Sequence, residues 1–277
     1  MDQPGAEHVY RGDIERLMAK VADQRGLDLT QYRTAYVERR IAARLRALNL
    51  HTYRQYSRLL DSSPEEFAKL LDAMTINVTD FFRDPPVYQL FRSKIVPEII
   101  ARKKRTRHRM IRVWSAGCAT GEEPYSIAMS FLSELGAHAD GFMLNVIATD
   151  LDPNALAYGQ KAEYDVAKLK HISKPDQMAF VDIHGDKFRI KPAVKSHVKF
   201  KALNLFTDEP IHVVDVLFCR NVFIYFTREQ QARVLDIFAD SIARDGYMVL
   251  GRSEKLAASV AGSFELVSGR DRIYRKK

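Results

Sequence analysis

Arg112-Val-Trp-Ser-Ala-Gly-Cys-Ala-Thr-Gly-Glu-Glu-Pro-Tyr-Ser126 decides the fold of this chain. It opens with alternating apolar residues that give way to Ser115 and Ala116, sets glycines at 117 and 121, and runs into an apolar-periodic stretch from Ile127 to Leu135. That order predicts a strand, a tight loop and a helix. Gly117 and Gly121 let backbone amides approach a ligand that any side chain would hold off, and a helix start adds unpaired N–H groups beside it. The spacing is not G-x-G-x-x-G, and no Lys-Ser or Lys-Thr follows the second glycine, so the loop is not read as a phosphate cradle.

Downstream the pattern alternates. A strand over Met143–Thr149 is followed by a helix from Pro153 to about Lys161, an apolar strand over Val213–Cys219 by a Thr227-capped helix to Ala243, and then come strands around 247–251, 264–267 and 272–274, the last two as an edge hairpin. Strands alternating with helices imply a doubly wound, mostly parallel sheet that binds ligand over its carboxyl ends. Phe180–Ile183, Lys187–Ile190 and His197–Phe200 are short, partly alternating runs separated by turn residues, and predict a small antiparallel unit inserted at about 162–201.

Upstream, residues 1–75 read as a helical domain without strand signals, and 76–111 as a linker segment with a helix restarted by Pro85-Pro86. The domain from 112 to 277 completes the chain. On the helix over Tyr32–Leu48, Val37, Ile41, Leu45 and Leu48 share one face and Arg33, Arg40 and Arg44 form a neighbouring cationic stripe. Thr75–Asp84 breaks the helical pattern. Phe81 and Phe82 are expected to anchor it, leaving Asn77, Thr79 and Arg83 to act either as caps and a surface charge or toward a ligand.

Composition sets limits. The 277 residues are 46% hydrophobic and 28% charged, ordinary for a globular protein with a sizeable core. No apolar run approaches a membrane span and the first residues lack a signal-peptide core, so a soluble, cytoplasmic protein is expected. The net charge of +8 suits an acidic partner, whether nucleic acid, an anionic membrane surface or an acidic protein, and does not choose among them. Cys118 and Cys219 have no metal-ligand spacing, so no metal site is expected and both are read as reduced thiols.

The residues at predicted strand ends are the Gly117–Gly121 loop, Glu123, Asp150, Asn204, Arg220 and Asn221, with Tyr225 one turn on. Asp152, directly before Pro153, suits a helix cap, which leaves Asp150 free to accept from a ribose. Glu123 suits a cationic group. A ligand with hydroxyls and an amine but little phosphate fits this list, and S-adenosylmethionine fits it better than NAD or ATP.

Five strings in order, Asn77-x-Thr79-x-Phe81-Phe82-Arg83, Ser115-Ala-x-x-x-Thr120-Gly121-Glu122-Glu123-Pro124-Tyr125-Ser126, Ala148-Thr149-Asp150-Leu151-Asp152, Asn204-Leu205 and Phe218-Cys219-Arg220-Asn221-Val222-x-Ile224-Tyr225-Phe226, closely resemble the CheR family of chemoreceptor methyltransferases. The resemblance implies a class I S-adenosylmethionine-dependent methyltransferase with a helical N-terminal domain and a small β-subdomain. Such an enzyme esterifies glutamate side chains on receptor signalling helices and releases S-adenosylhomocysteine. Carried over by motif, Asn77, Thr79, Arg83, Gly117, Glu123, Asp150, Asn204, Leu205, Arg220 and Asn221 are expected to hold the cofactor, and Arg83 and Tyr225 to orient the substrate carboxylate. Arg33, Arg40 and Arg44 are then expected to meet the acidic receptor helices. Some family members dock a receptor C-terminal peptide on the β-subdomain, but His184-Gly185-Asp186 joins two runs so directly that docking by that route is not expected. A monomer without nucleic-acid binding or membrane insertion is expected. Two alternatives are a non-catalytic module that senses S-adenosylmethionine or S-adenosylhomocysteine, and a nucleic-acid methyltransferase. The latter would place an Asn-Pro-Pro-Tyr-like motif or a nucleophilic cysteine where Phe-Cys-Arg-Asn stands, and Cys219 ends an apolar strand whose burial disfavours the thiolate.

Overall fold

A computed structural model describes residues 4–25, 28–75, 77–136 and 141–277. Two compact units emerge, one made of residues 1–76 with 225–230 and the other of 77–224 with 231–277.

The first unit is helical: α1 (Pro4–Arg25), α2 (Thr34–Ala47), α3 (Tyr53–Ser62) and α4 (Pro64–Met74). Local sequence fixes the boundaries. Thr52 and Gln55 form a reciprocal capping box at α3, and Ser63 accepts from the Glu66 N–H while Pro64 opens α4. Val37 and Ile41 of the apolar face are fully buried.

The arginine stripe is not three free cations. The Arg44 guanidinium forks onto the buried Glu66 carboxylate through Nε at 2.9 Å and Nη2 at 2.7 Å, and the Tyr56 hydroxyl donates to the same carboxylate at 2.9 Å. Arg40 lies over the Tyr36 ring, 5.5 Å from its centroid, and Arg33 Nε donates to the Phe226 carbonyl at 3.2 Å. Arg33 precedes α2 as its extended N-cap residue and so is not on the helix with Arg40 and Arg44, and helical spacing is silent on α4, which brings Glu66 against Arg44. Tyr225 also belongs to this unit, with its ring 4.9 Å from that of Tyr36 and its carbonyl accepting the Arg33 N–H at 2.9 Å.

The second unit is α/β. After α5 (Pro85–Leu90), residues Phe91–Ile95 form a π turn leading into α6 (Val96–Thr106). Pro97 has no N–H to give to the preceding turn, which accounts for the local widening. The sheet strands are β1 (Met110–Ala116), β2 (Met143–Asp150), β6 (Val198–Ala202), β7 (Val214–Cys219), β8 (Ile242–Leu250), β9 (Phe264–Ser268) and β10 (Ile273–Lys276). Their spatial order is β6-β2-β1-β7-β8-β10-β9; the first five are parallel and the β9/β10 hairpin closes one edge antiparallel. The crossover reverses direction between β1 and β7, which is where doubly wound sheets open a ligand crevice. The helices α7 (Glu122–Leu135) and α8 (Pro153–Lys161) follow β1 and β2. At the sheet's centre Trp114 is fully buried, donating from its indole N–H to Thr149 Oγ1 at 2.8 Å.

One expectation changes here. The small antiparallel sheet is built from β3 (Glu163–Asp165), β4 (Val181–His184) and β5 (Lys187–Ile190), in the order β3-β5-β4. His197–Phe200 is not its third strand; Val198–Ala202 pairs parallel with β2, Val146 opposite Val198. Alternation alone does not tell an edge strand of one sheet from a strand of another. The β4/β5 turn has only two residues, with Gly185 at φ +63, the first-position glycine of a II′ turn. The Arg102–Arg112 run is only partly solvated. Arg102 and Lys103 each pair with the buried Asp215 carboxylate at 2.8 Å, and the Arg112 N–H donates to it at 3.0 Å.

Candidate functional site

The parallel strands bring their carboxyl ends to one edge, and β1 supplies the glycine loop. Gly117 holds φ +73, and a Cβ there would sit 2.4 Å from a Val222 methyl; Gly121 holds φ +94, and its Cβ would meet the Phe200 ring at 2.9 Å. Both positions require glycine by dihedral and by space. The loop's amides are nevertheless not held out to a ligand as expected. Gly117 and Cys118 donate to the Thr149 carbonyl at 2.8 and 3.0 Å, Ala119 to Asp150 Oδ2 at 2.7 Å, and Gly121 to the Cys118 carbonyl at 3.1 Å. The two glycines let Val222 and Phe200 pack against the loop, and a loop whose amides are used in this way is unsuited to phosphate, which wants free donors.

Asp150 and Asp152 divide their work at the end of β2. Asp152 Oδ1 caps α8, accepting from the Asn154 and Ala155 N–H groups at 2.8 and 3.3 Å, and its Oδ2 accepts from Asn77 Nδ2 at 2.8 Å. Asn77 is thereby fixed on Asp152, two residues beyond Asp150. Asp150 is half-buried and not free: Oδ2 accepts the Ala119 N–H and Oδ1 the Asp152 N–H at 3.0 Å. Burial pushes its carboxyl up while these backbone donors oppose the shift. Each oxygen keeps a further lone pair, so the result is an acceptor aimed by the backbone.

A chain of charges crosses from α7 to β7. Glu123 Oε1 accepts from the Ser115 hydroxyl at 2.8 Å, and Oε2 lies 3.7 Å from Arg220 Nη1. Burial pushes the Glu123 carboxyl up, opposed by Arg220, the Ser115 hydroxyl and Arg83. Arg220 is almost wholly covered; it donates to the Arg83 carbonyl at 3.0 Å and pairs with Asp84. It is a strut under Arg83 and Glu123 more than an exposed ligand. Arg83 is half-buried and anchored by Nη1 to the Val78 carbonyl at 2.8 Å.

The remaining positions are tied in from the other strands. Leu203 N–H donates to the Asp150 carbonyl at 3.0 Å, so the turn after β6, with half-buried Asn204 and Leu205, is joined to the same edge. Asn204 Oδ1 shapes that turn by accepting the Phe206 N–H at 3.0 Å. Thr79 accepts Lys168 Nζ at its carbonyl, 3.1 Å away. Asn221, at φ +61, buries an Oδ1 that has no hydrogen-bond partner among the described residues. Among the proposed site residues, Tyr225, Arg33, Arg40 and Arg44 lie in the helical unit and are not part of this linked set.

Glu122 and Glu254 are buried carboxylates bonded to these strand-end segments that the sequence did not single out. Glu122 pairs with Lys168 and accepts from Thr120 Oγ1 at 2.6 Å, and Glu254 accepts three backbone amides. Glu122 stood inside a quoted motif, and its acidic type at a helix start was the available signal; Glu254 follows β8 with no spacing to mark it.

Cys118 and Cys219 are fully buried, and burial pushes both thiols well up, with Asp150 and Glu123 near the first and Glu254 near the second adding to the effect. Native protein at pH 8 is therefore expected to release almost no thiolate with a disulfide reagent, against two equivalents per chain in guanidinium. Rapid native labelling of either would contradict the burial described here. Among the described residues no group of His, Cys, Asp or Glu is placed to hold a metal, and no helix is long and apolar enough to cross a membrane.

The donor set suits S-adenosylmethionine. Asp150 has oriented acceptors that suit ribose hydroxyls, Glu123 a buried carboxylate that suits an ammonium group, and Asn221 a buried amide oxygen with no hydrogen-bond partner among the described residues. The family model described as "CheR methyltransferase, SAM binding domain" matches residues 77–273, and "CheR methyltransferase, all-alpha domain" matches 12–75. The chain is 28% identical over 254 residues to the chemotaxis protein methyltransferase of Borreliella burgdorferi, covering 90% of each chain. It is 31% identical to a probable chemotaxis protein methyltransferase of Rhizobium etli, covering 87% of this chain and 91% of that one, and 31% identical to the Salmonella typhimurium protein, covering 88% and 84%. The chain belongs to the CheR methyltransferase family, and S-adenosylmethionine is its cofactor.

Proposed function

We propose that this enzyme transfers the methyl group of S-adenosylmethionine to glutamate side chains on the signalling helices of chemoreceptors, forming methyl esters. The observation that carries the reading is the match to chemotaxis protein methyltransferases along nearly the whole length of both chains. It is supported by a strand-end edge where half-buried Arg83 is braced through its carbonyl by Arg220, which also lies 3.7 Å from Glu123.

The bound cofactor supplies a methyl group on a sulfonium, and the chain's own residues have little proton chemistry to do. A glutamate side chain with an ordinary pKa of about 4.3 is already ionised at neutral pH, so no strong general base is needed. Asp150, Asn221, Asn77 and Glu123 bind and orient the cofactor in this proposal, with Thr79, Asn204, Leu205 and Gly117 shaping its surroundings and Arg220 holding Glu123 and Arg83 in place. Arg83 orients the incoming carboxylate by a charge-assisted hydrogen bond. Holding two reactants in line in a dry site is worth roughly 7–11 kcal/mol, enough to make placement the main contribution. Arg33 and Arg40 are proposed to meet the acidic receptor helices. Docking of a receptor C-terminal peptide on the two-residue β4/β5 turn is not part of this reading.

The test is transfer of tritiated methyl from S-adenosylmethionine to membranes bearing receptors. Base-labile counts released as methanol are expected with the wild type and a loss of at least a hundredfold with Arg83→Ala. Counts that stay on the protein after base treatment would rule out an ester product, and no transfer at all would favour a sensing module.

A further inference from the structure

Glu254 lies four residues beyond the end of β8, is 4% exposed, and carries its carboxylate into the backbone of another loop. Oε2 accepts the Gly251 N–H at 2.6 Å and the Asn221 N–H at 3.1 Å; Oε1 accepts the Phe223 N–H at 2.9 Å. A tight turn returns it to the strand end, its own N–H donating to the Gly251 carbonyl at 2.8 Å. Gly251 is needed for this arrangement. A Cβ there would fall 2.6 Å from Glu254 Oε2 and 2.8 Å from the Asn221 nitrogen.

The loop so held is the one that follows β7. Asn221 sits in the left-handed region at φ +61, which Asn adopts more readily than other non-glycine residues. Its side-chain Oδ1 is buried without a hydrogen-bond partner among the described residues, and its neighbour Arg220 braces Arg83 and Glu123. Three amides directed at one carboxylate make a charge-assisted clamp, stronger than neutral turn hydrogen bonds. No lysine, arginine or histidine forms an ion pair with Glu254 among the described salt bridges; backbone dipoles meet its charge.

We infer that Glu254 is a positioning residue for the cofactor, clamping the Arg220–Phe223 loop so that Asn221 and the Arg220 brace are set before S-adenosylmethionine binds. This rests on the proposed cofactor roles of Arg220 and Asn221. Glu254 itself touches neither the cofactor nor the reacting carboxylate in this account.

Glu254→Gln keeps the shape of the side chain but puts an amide NH₂ where at least one backbone N–H needs an acceptor. In this variant the exchange of the Asn221, Phe223 and Gly251 amides, followed by NMR without cofactor, is expected to quicken at least tenfold. The dissociation constant for S-adenosylhomocysteine by calorimetry is expected to rise at least tenfold. Glu254→Asp, which keeps the charge at a shorter reach, is expected to recover part of both and serves as the folded variant should Glu254→Gln not fold. Val260→Ala, a truncation of a buried side chain in the short helix that follows, controls for general destabilisation and is expected to leave cofactor affinity within twofold. Affinity within twofold of wild type in Glu254→Gln, with the loop amides still protected, overturns the inference. So does an equal loss of affinity in Val260→Ala at a matched melting temperature. The wild-type titration run alongside separates this from the cofactor roles it rests on, because wild-type binding that survives Asn221→Ala unchanged overturns those roles, whereas quickened amide exchange in Glu254→Gln reports the clamp alone.

Discussion

Asp150→Ala is expected to abolish measurable S-adenosylmethionine binding. The Asp150 carboxylate is aimed by the Ala119 and Asp152 amides, and each oxygen retains one lone pair for a ribose hydroxyl. A hydrogen bond to a charged group contributes about 1.5–3 kcal/mol, so losing two costs roughly 3–6 kcal/mol, or about a hundredfold to ten-thousandfold in affinity. The same truncation removes the acceptor that holds Ala119 at φ +47, so the glycine loop loses an anchor as well. Asp150→Asn, which keeps one acceptor oxygen, is expected to fall between the two. Calorimetry with S-adenosylhomocysteine on protein checked for native circular dichroism decides the matter, and micromolar binding retained by Asp150→Ala would show that the strand-end assignment is wrong.

The second large effect separates two arginines that the sequence places on one stripe. Arg44→Glu is expected to unfold much of the helical unit, because it leaves the buried Glu66 facing a like charge. Breaking a buried ion pair by removing one partner costs about 3–5 kcal/mol, a large share of the roughly 5–15 kcal/mol that a whole domain possesses. Arg40→Glu is expected to leave folding near that of the wild type and raise the Michaelis constant for receptor at least fivefold, with cofactor affinity unchanged. Limited proteolysis reads the first and methyl-transfer kinetics the second. Receptor kinetics unchanged in Arg40→Glu would remove this helix from the proposed receptor surface. The pair also predicts a pH dependence. Burial raises the Glu66 carboxyl, but hydrogen bonds from Arg44 and Tyr56 outweigh it and hold it below the usual range. A carboxylate with a depressed folded-state pKa contributes stability that is present above its unfolded pKa and lost as pH falls through the folded value. The helical unit of the wild type is thus expected to lose stability in that acidic window, and Arg44→Met to lose less there.

How far the sequence could be read depends on the range of the forces involved. The Arg112–Leu135 stretch announces strand, loop and helix because its signals are local: alternation, two glycines that no other residue can replace, and a helical apolar period. Asp152 could be recognised as a cap because Pro153 sits beside it. What stayed hidden needed a partner distant in the chain. Glu66 lies 22 residues from Arg44 and Glu254 lies 33 from Asn221, and nothing in either neighbourhood announces the other. The same holds for Val198–Ala202, whose alternation suits either sheet until β2 claims it. The loop amides illustrate the limit most directly, since the glycines are plain in the sequence but the acceptors that take the Gly117, Cys118 and Ala119 N–H groups come from β2.

The indole N–H of Trp114, bonded to Thr149 beneath the ends of β1 and β2, has a spectroscopic consequence. It is the only tryptophan in the chain, so native emission comes from one dry environment at the centre of the sheet and should lie toward the blue. Its red shift on denaturation would report the α/β unit by itself, giving a signal blind to melting of the helical unit and able to time the two losses separately.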